Sequence, residues 1–319
     1  MTEQTRRAYV GDGQRHYEPM EGALQEQEPY IAAPSLVEAV NIALYLRRPL
    51  LLEGDPGCGK TRLAYAAAYE LGYPLKECYI RSTSKARDLL YSYDAVGRLY
   101  DIQERNTLGN KDDPFPRKNY ISFGNLGDAI KLAQEDHPSV VLIDEIDKAD
   151  IDFPNDLLLV LDRLQFEVDE VKNWKFDALK GEKREERRDF LPLFIITSNR
   201  EKELPKPFLR RCLFYYIDFP DQIALEQIVK SHFQKEITPL FVEAVKKFWR
   251  LRNQEVFRWR KVPSTSELLD WVRVLERDEL NNELAVQQLI HRPFKNLPHL
   301  ETLIKAQSDL DSLGKIQDV

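Results

Sequence analysis

The sequence predicts an α/β fold: a parallel sheet covered by helices on both faces, followed by a smaller all-helical domain. Three observations carry this. From Tyr30 to about Pro220, short apolar runs alternate with amphipathic stretches, the pattern of strand-helix-strand units. Two of the runs, Val140–Ile143 and Leu193–Ile196, are apolar at every position, as strands buried on both faces read. After Pro220 the strand signal fades, and residues 221–319 read as a string of helices opening at "DQIALEQIVKSHF". The expected division is a polar, loose leader over 1–28, an α/β domain over 29–220, and a helical lid with a tail over 221–319.

The expected strands are Pro49–Glu53, Cys78–Arg81, Val140–Ile143, Leu193–Ser198 and Leu213–Asp218. Helices are expected over Ser35–Leu46, Thr61–Leu71, Leu126–Glu135 and Asp156–Leu164, where apolar residues recur at helical spacing. The densest charge run, "KGEKREERRDF" from Lys180 to Phe190, reads as a solvated loop or hairpin tip. In the last domain, "STSELLDWVRVLERDEL" reads as a capped amphipathic helix, with Leu268, Leu269, Val272 and Leu275 on one face.

Composition bounds the function. A hydrophobic fraction of 43% over 319 residues supports a sizeable core. The net charge of -7 disfavours nucleic acid as a partner. Cys58, Cys78 and Cys212 lie far apart, with neither a disulfide framework nor a zinc spacing, and the histidines show no metal spacing. The first residues lack the apolar core of a signal peptide, and no apolar run approaches the length of a membrane span. A cytoplasmic protein is expected.

The most informative stretch is "LLLEGDPGCGKTRLA", Leu50 to Ala64. Its "GDPGCGKT" fits G-x-x-x-x-G-K-[ST] after an apolar strand and before a helix. Glycines let successive N–H groups face one anion, and the following helix aims its positive end at the same phosphates. The loop residues Gly54, Asp55, Pro56, Gly57, Cys58 and Gly59 form the candidate cradle, with Lys60, Thr61 and Arg62 opening the helix. Lys60 brings a full positive charge to the β and γ phosphates, and the hard Thr61 hydroxyl suits Mg²⁺.

Three further elements follow in order. "SVVLIDEIDKAD" ends an apolar strand in Asp144, a candidate Mg²⁺ ligand, and Glu145, placed to act as general base on water. "LPLFIITSNRE" ends a strand in Asn199, a neutral amide able to bond both water and a γ-phosphate oxygen. "ELPKPFLRRCLFYYIDFP" carries Arg210 and Arg211, candidates for an arginine finger that reaches a neighbouring subunit's γ-phosphate.

The order "GDPGCGKT", "LIDEID", "IITSN", "LRRC" resembles an AAA+ ATPase, and over roughly residues 30–290 the chain is similar to its MoxR-type branch. That finer match rests on "RPLLLEGDPGCGKT", on "DLLY" at Asp88–Tyr91, and on "DEIDKADIDFPNDLLLVLDRLQFEV". The resemblance implies a P-loop α/β/α parallel-sheet nucleotide domain with β-hairpin insertions, followed by an all-helical lid. It implies ATP hydrolysis with Mg²⁺ in a homo-oligomeric, commonly hexameric ring. It implies remodelling of a protein client, often a von Willebrand A-type protein. Residue by residue, Lys60 and Thr61 match Walker A, Asp144 and Glu145 match Walker B, and Asn199 matches sensor 1. Arg211 matches the finger better than Arg210, because it precedes Cys212, where relatives carry an aromatic residue. The insertions would lie within Asp88–Ile130, with "RLYDIQ" as a hairpin, and between Walker B and sensor 1. The lid departs from the family pattern: "KVPSTSELLDW" has no arginine in its opening turn, so either the second sensor is absent or Arg260 or Lys261 substitutes for it.

Lys246–Val262 interleaves Trp249, Phe257 and Trp259 with basic groups, a composition that also suits single-stranded nucleic acid; Phe248, Leu251 and Val256 read as helix core. Two other readings stay open: a nucleic-acid translocase or restriction-type NTPase subunit, and a nucleotide switch that binds partners without turnover.

Overall fold

The computed structural model describes residues 7–107, 115–233, 238–253, 259–277 and 283–313. In chain order its elements are α1 (Pro34–Leu46), β1 (Leu50–Gly54), α2 (Lys60–Leu71), β2 (Leu75–Tyr79), β3 (Tyr91–Tyr93), α3 (Ala95–Thr107), β4 (Ile121–Phe123), α4 (Asn125–Gln134), β5 (Val140–Asp144) and α5 (Phe153–Arg163). Then come β6 (Gln165–Glu167), β7 (Lys175–Asp177), β8 (Leu193–Ser198), α6 (Lys206–Leu209), β9 (Leu213–Ile217), α7 (Gln222–Phe233), α8 (Pro239–Arg252), α9 (Thr265–Arg277), α10 (Glu283–His291), α11 (Leu300–Leu303) and α12 (Gln307–Leu313).

The main sheet has the order β2-β5-β8-β1-β9, and the pairs β2–β5, β5–β8 and β1–β8 are parallel. The connections from β2 to β5 and from β5 to β8 both contain helices, as crossovers between parallel neighbours require. The wholly apolar runs occupy the centre: Val140 to Ile143 are 0% exposed, and all of β8 is buried. Pro34 opens α1 at a position where a missing N–H costs nothing, and Arg47 ends it in the left-handed conformation at φ 50°. The two small sheets are antiparallel hairpins, β3 with β4 and β6 with β7. They share an aromatic cluster, in which the Phe123 ring lies 5.1 Å from Phe176 and 5.5 Å from Trp174.

By compactness the chain divides into two units: residues 1–28, 32–53 and 60–216, and residues 29–31, 54–59 and 217–319. The core of the second unit gathers around Trp271, fully buried, whose indole N–H donates to the Pro298 carbonyl at 2.7 Å. Phe248 and Leu251 are core there, as expected, and Trp249 and Trp259 pack against the same core. Val256 and Phe257 lie outside the described residues.

Three expectations are corrected. Residues 7–28 are not a loose leader. Tyr9 is 2% exposed, and its backbone exchanges two hydrogen bonds with the Asn41 side chain. The buried Glu70 carboxylate on α2 accepts the amides of Val10, Gly11 and Gly13 at 3.1, 2.8 and 2.7 Å. Second, "RLYDIQ" is not a hairpin but the middle of α3; the flanking segments make the hairpin. Third, the charge run is fastened to the first unit. Arg184 donates to the carbonyls of Arg47, Leu161 and Asp162 at the ends of α1 and α5. Arg187, 4% exposed, donates to Ala133 and Ala178 and pairs with Asp136. Helix C-termini leave carbonyls unsatisfied, and a guanidinium fork meets several at once.

Candidate active site

Parallel pairing of β5 with β8, with Ile143 opposite Ile196, brings two strand ends together. Such ends are where α/β sheets bind ligands. Asp144 ends β5, and its Oδ1 accepts from Thr61 Oγ1 at 2.9 Å and from Thr197 Oγ1 at 2.6 Å. Thr61 sits on the first turn of α2, directly after Lys60, which is 6% exposed. Thr61 and Asp144 offer only hard oxygens, the donor set that suits Mg²⁺.

Glu145 follows in the left-handed region at φ 59° and ψ 50°, an uncommon conformation for a residue with a side chain. Its N–H is held by Thr197 Oγ1 at 2.9 Å. Its carboxylate accepts from Asn199 Nδ2 at 3.2 Å on one oxygen and from Lys148 Nζ at 2.5 Å on the other. The contact with Glu145 holds the Lys148 ammonium above its ordinary range. Asp147, 2% exposed, takes the amides of Asn199 and Glu201 on Oδ2, at 3.1 and 2.8 Å. Lys202 donates to the carbonyls of Lys148 and Ala149. The turn after β5 and the loop after β8 are therefore bound to each other.

The structure thus brings Thr61, Asp144, Glu145 and Asn199 together. Arg62 is engaged elsewhere: it pairs with Glu28 at 3.0 Å and lies over the Tyr65 ring. Thr197, Asp147 and Lys148 are site residues that the sequence reading did not single out. Thr197 was visible as a hydroxyl one strand over from an acid, and the other two only as part of a charged turn.

The loop between β1 and α2 contains Gly57 at φ +76° and Gly59 at φ +98°, conformations that a side chain strains. In the second unit, a Cβ on Gly57 would meet the Ser264 Cβ at 2.3 Å. Ser264 precedes α9, and its N–H and hydroxyl both donate to the Glu267 carboxylate. Asp55 lies 3.3 Å from Arg252, whose guanidinium stacks on the Phe219 ring at 3.5 Å and also donates to the Pro263 carbonyl. Burial pushes the Arg252 guanidinium below its usual range. Within the second unit, the arginine that meets this loop is Arg252, at the end of α8. Arg260 and Lys261 give their backbone amides to the buried Asp309, at 2.9 and 3.1 Å, and their side chains are exposed.

Arg211 donates to Asp162 at 2.7 Å and to the Pro207 carbonyl. Arg210 is exposed, and its side chain has no polar partner among the described residues. Arg48 holds the carbonyls of Arg210, Arg211 and Cys212. One histidine does meet acids: ligand atoms of Asp12, His16 and Glu70 lie within 4.8 Å of one another. His16 is bonded to Asp12, and Glu70 to three amides, so the group is satisfied internally.

A sheet of this order, with a glycine loop after β1 and an acid pair after β5, is the framework of a P-loop α/β/α protein. Residues 50–220 match the family described as ATPase family associated with various cellular activities (AAA). The match spans more than half of the chain, and the protein belongs to the AAA ATPase family. Two solved structures of mutant RuvB from Thermotoga maritima are similar to this chain at 16% identity, with TM-scores of 0.46 and 0.45. Each covers 80% of this chain, and the alignments span 68% and 66% of the RuvB chains. No curated protein matches the sequence. Among the described residues, no helix is long and apolar enough to cross a membrane.

Proposed function

We propose that the protein is a MoxR-like member of its family that hydrolyses ATP with Mg²⁺, as an oligomer, to remodel or activate a protein partner. The observation that carries the catalytic part is the meeting of the Glu145 carboxylate and the Asn199 amide at 3.2 Å, one residue beyond Asp144. In this reading Lys60 and the loop amides bind the β and γ phosphates. Thr61 and Asp144 would hold the metal, which would supply positive charge against the phosphoryl oxygens. Asn199 orients a water, and Glu145 accepts its proton as the water oxygen bonds to the γ-phosphorus. The bond from that phosphorus to the bridging oxygen breaks, giving ADP and phosphate.

A guanidinium from the Arg210–Arg211 pair of a neighbouring subunit completes the site. The resemblance favours Arg211; the geometry favours Arg210, which gives up no partner to act. What supports a protein client, a von Willebrand A-type protein among the candidates, and a hexameric ring is the resemblance to the MoxR-type branch alone. Glu145→Gln is the test. It keeps the size and removes the basic carboxylate, so turnover is expected to fall at least about a hundredfold with ATP binding retained. Turnover at the wild-type rate would refute the role of Glu145.

A further inference from the structure

The loop between β1 and α2 carries an acid of its own. Asp55 follows Gly54 directly, in the segment read as a cradle for phosphate. Backbone amides and a lysine attract an anion to such a loop, and a carboxylate within it repels one. The Asp55 side chain is 56% exposed, so burial does not remove its charge.

The group that meets this charge is Arg252, 3.3 Å from Asp55 Oδ2, with its own side chain only 8% exposed. The guanidinium is fixed from other sides as well. It stacks on the Phe219 ring at 3.5 Å, and that ring lies 6.4 Å from the ring of the fully buried Phe248. It also donates to the Pro263 carbonyl, and the Arg252 carbonyl takes the Trp259 indole N–H at 3.2 Å. Burial pushes the guanidinium below its usual range, and the Asp55 carboxylate is the largest of the charges that offset this. Ion pairs between two mobile, solvated side chains are weak because both must be ordered. Here the cation is already ordered by its stacking and its carbonyl bond, and it is shielded from water. All of these residues, loop residues 54–59 included, belong to the second unit.

We infer that Arg252 is a positioning residue of the phosphate loop: it neutralises Asp55 and fixes the direction of its carboxylate, so that the loop can accept an anion. The inference rests on the loop binding the phosphates of the nucleotide. In this role the guanidinium acts through Asp55 and needs no contact with nucleotide itself. An acid among the phosphate-binding residues then has a physical account, and so does a buried arginine outside every motif.

The experiment is calorimetric titration of the full chain with ADP and with the slowly hydrolysed analogue ATPγS, in Mg²⁺, for wild type, Arg252→Met, Asp55→Asn, the double variant, Arg252→Lys and Lys60→Ala. A unit charge left unbalanced beside a polyanion changes its affinity on the order of tenfold. Arg252→Met should therefore weaken ADP by about tenfold and ATPγS by more, because the third phosphate adds like charge. Raising salt should shrink this deficit. Adding Asp55→Asn to Arg252→Met should recover most of the loss, a coupling that a purely structural role for Arg252 would not produce. Arg252→Lys keeps the charge without the planar stack and should fall between wild type and Arg252→Met. Asp55→Asn alone leaves the cation in excess and should tighten ADP severalfold; this arm decides the matter if Arg252→Met fails to fold. If the double variant binds as weakly as Arg252→Met, or Asp55→Asn alone fails to tighten binding, Arg252 does not act through Asp55 and the inference alone falls. If Lys60→Ala binds both nucleotides like wild type, the reading of the loop falls and takes this inference with it.

Discussion

Asp147→Ala probes the bond between the two strand-end loops. The carboxylate is 2% exposed and accepts two backbone amides on a single oxygen. A hydrogen bond to a charged group contributes about 1.5–3 kcal/mol. Because one oxygen serves both donors, the lower end applies to each, and the loss in stability should be about 3 kcal/mol. The same change releases the backbone of Asn199, whose side chain must stay aimed at Glu145. A displacement of about 1 Å at a reacting centre costs on the order of a hundredfold in rate. Urea unfolding and steady-state ATP turnover read the two effects separately: a lowered midpoint, and a lower kcat with nearly unchanged KM. Asp147→Asn keeps an oxygen at the same place and should recover a good part of both. If Asp147→Ala keeps kcat within about threefold of wild type while Asn199→Ala loses far more than the hundredfold scale of misplacement, the aim of Asn199 does not depend on Asp147.

Three other outcomes are expected. Arg187→Met strips a charged donor from the buried carbonyls of Ala133 and Ala178, which should cost about 3 kcal/mol and lower Tm by about 6–12 °C; a drop under about 2 °C would show that the charged segment is not fastened there. The pairing with Lys180 and then Arg187 holds the Asp136 carboxyl below its usual value. The ion pair's contribution is therefore complete above the unfolded carboxyl pKa of about 3.9 and is lost as pH falls through the lower folded value, so the gap between variant and wild type should narrow in acid by the ion-pair part alone, the bonds to the Ala133 and Ala178 carbonyls remaining. Burial pushes the Cys78 and Cys212 thiols up to about 12. Iodoacetamide at about pH 8, below even the free thiol value, should leave both unmodified in the folded protein and label them in urea, as read by mass spectrometry.

The central strands and the phosphate loop were legible because each carries its own local signal. Val140–Ile143 is apolar at every position, and the loop's glycines and lysine stand at the fixed spacing of a phosphate-loop pattern. The edge strand was less so. The reading placed it at Cys78–Arg81, whereas pairing with β5 sets it at Leu75–Tyr79. A half-exposed strand has no continuous apolar run to mark its ends. "RLYDIQ" alternates over only a few residues, too short a window to separate a strand from the exposed face of α3. Charge misled twice. Arg184 and Arg187 look solvated in a run of like residues, and only the folded chain shows the helix ends they serve. Arg252 lay within the basic stretch, but its place beside Asp55 depends on how α8 packs in the second unit. Asp147 and Lys148 were legible as charged residues, and their tasks only as distances.

The attachment of residues 7–28 bears on how the protein can be cut. A shortened version beginning near residue 29 looks harmless by sequence, since it spares every motif. It would leave the buried carboxylate of Glu70 without the amides of Val10, Gly11 and Gly13. It would also bare the surface that Tyr9 covers. Glu70 stands near the far end of the helix that Lys60 begins, so the damage would fall on the rod that carries the lysine proposed to bind phosphate. Loss of ATP binding after such trimming would report a broken scaffold, and says nothing about whether those first residues touch nucleotide.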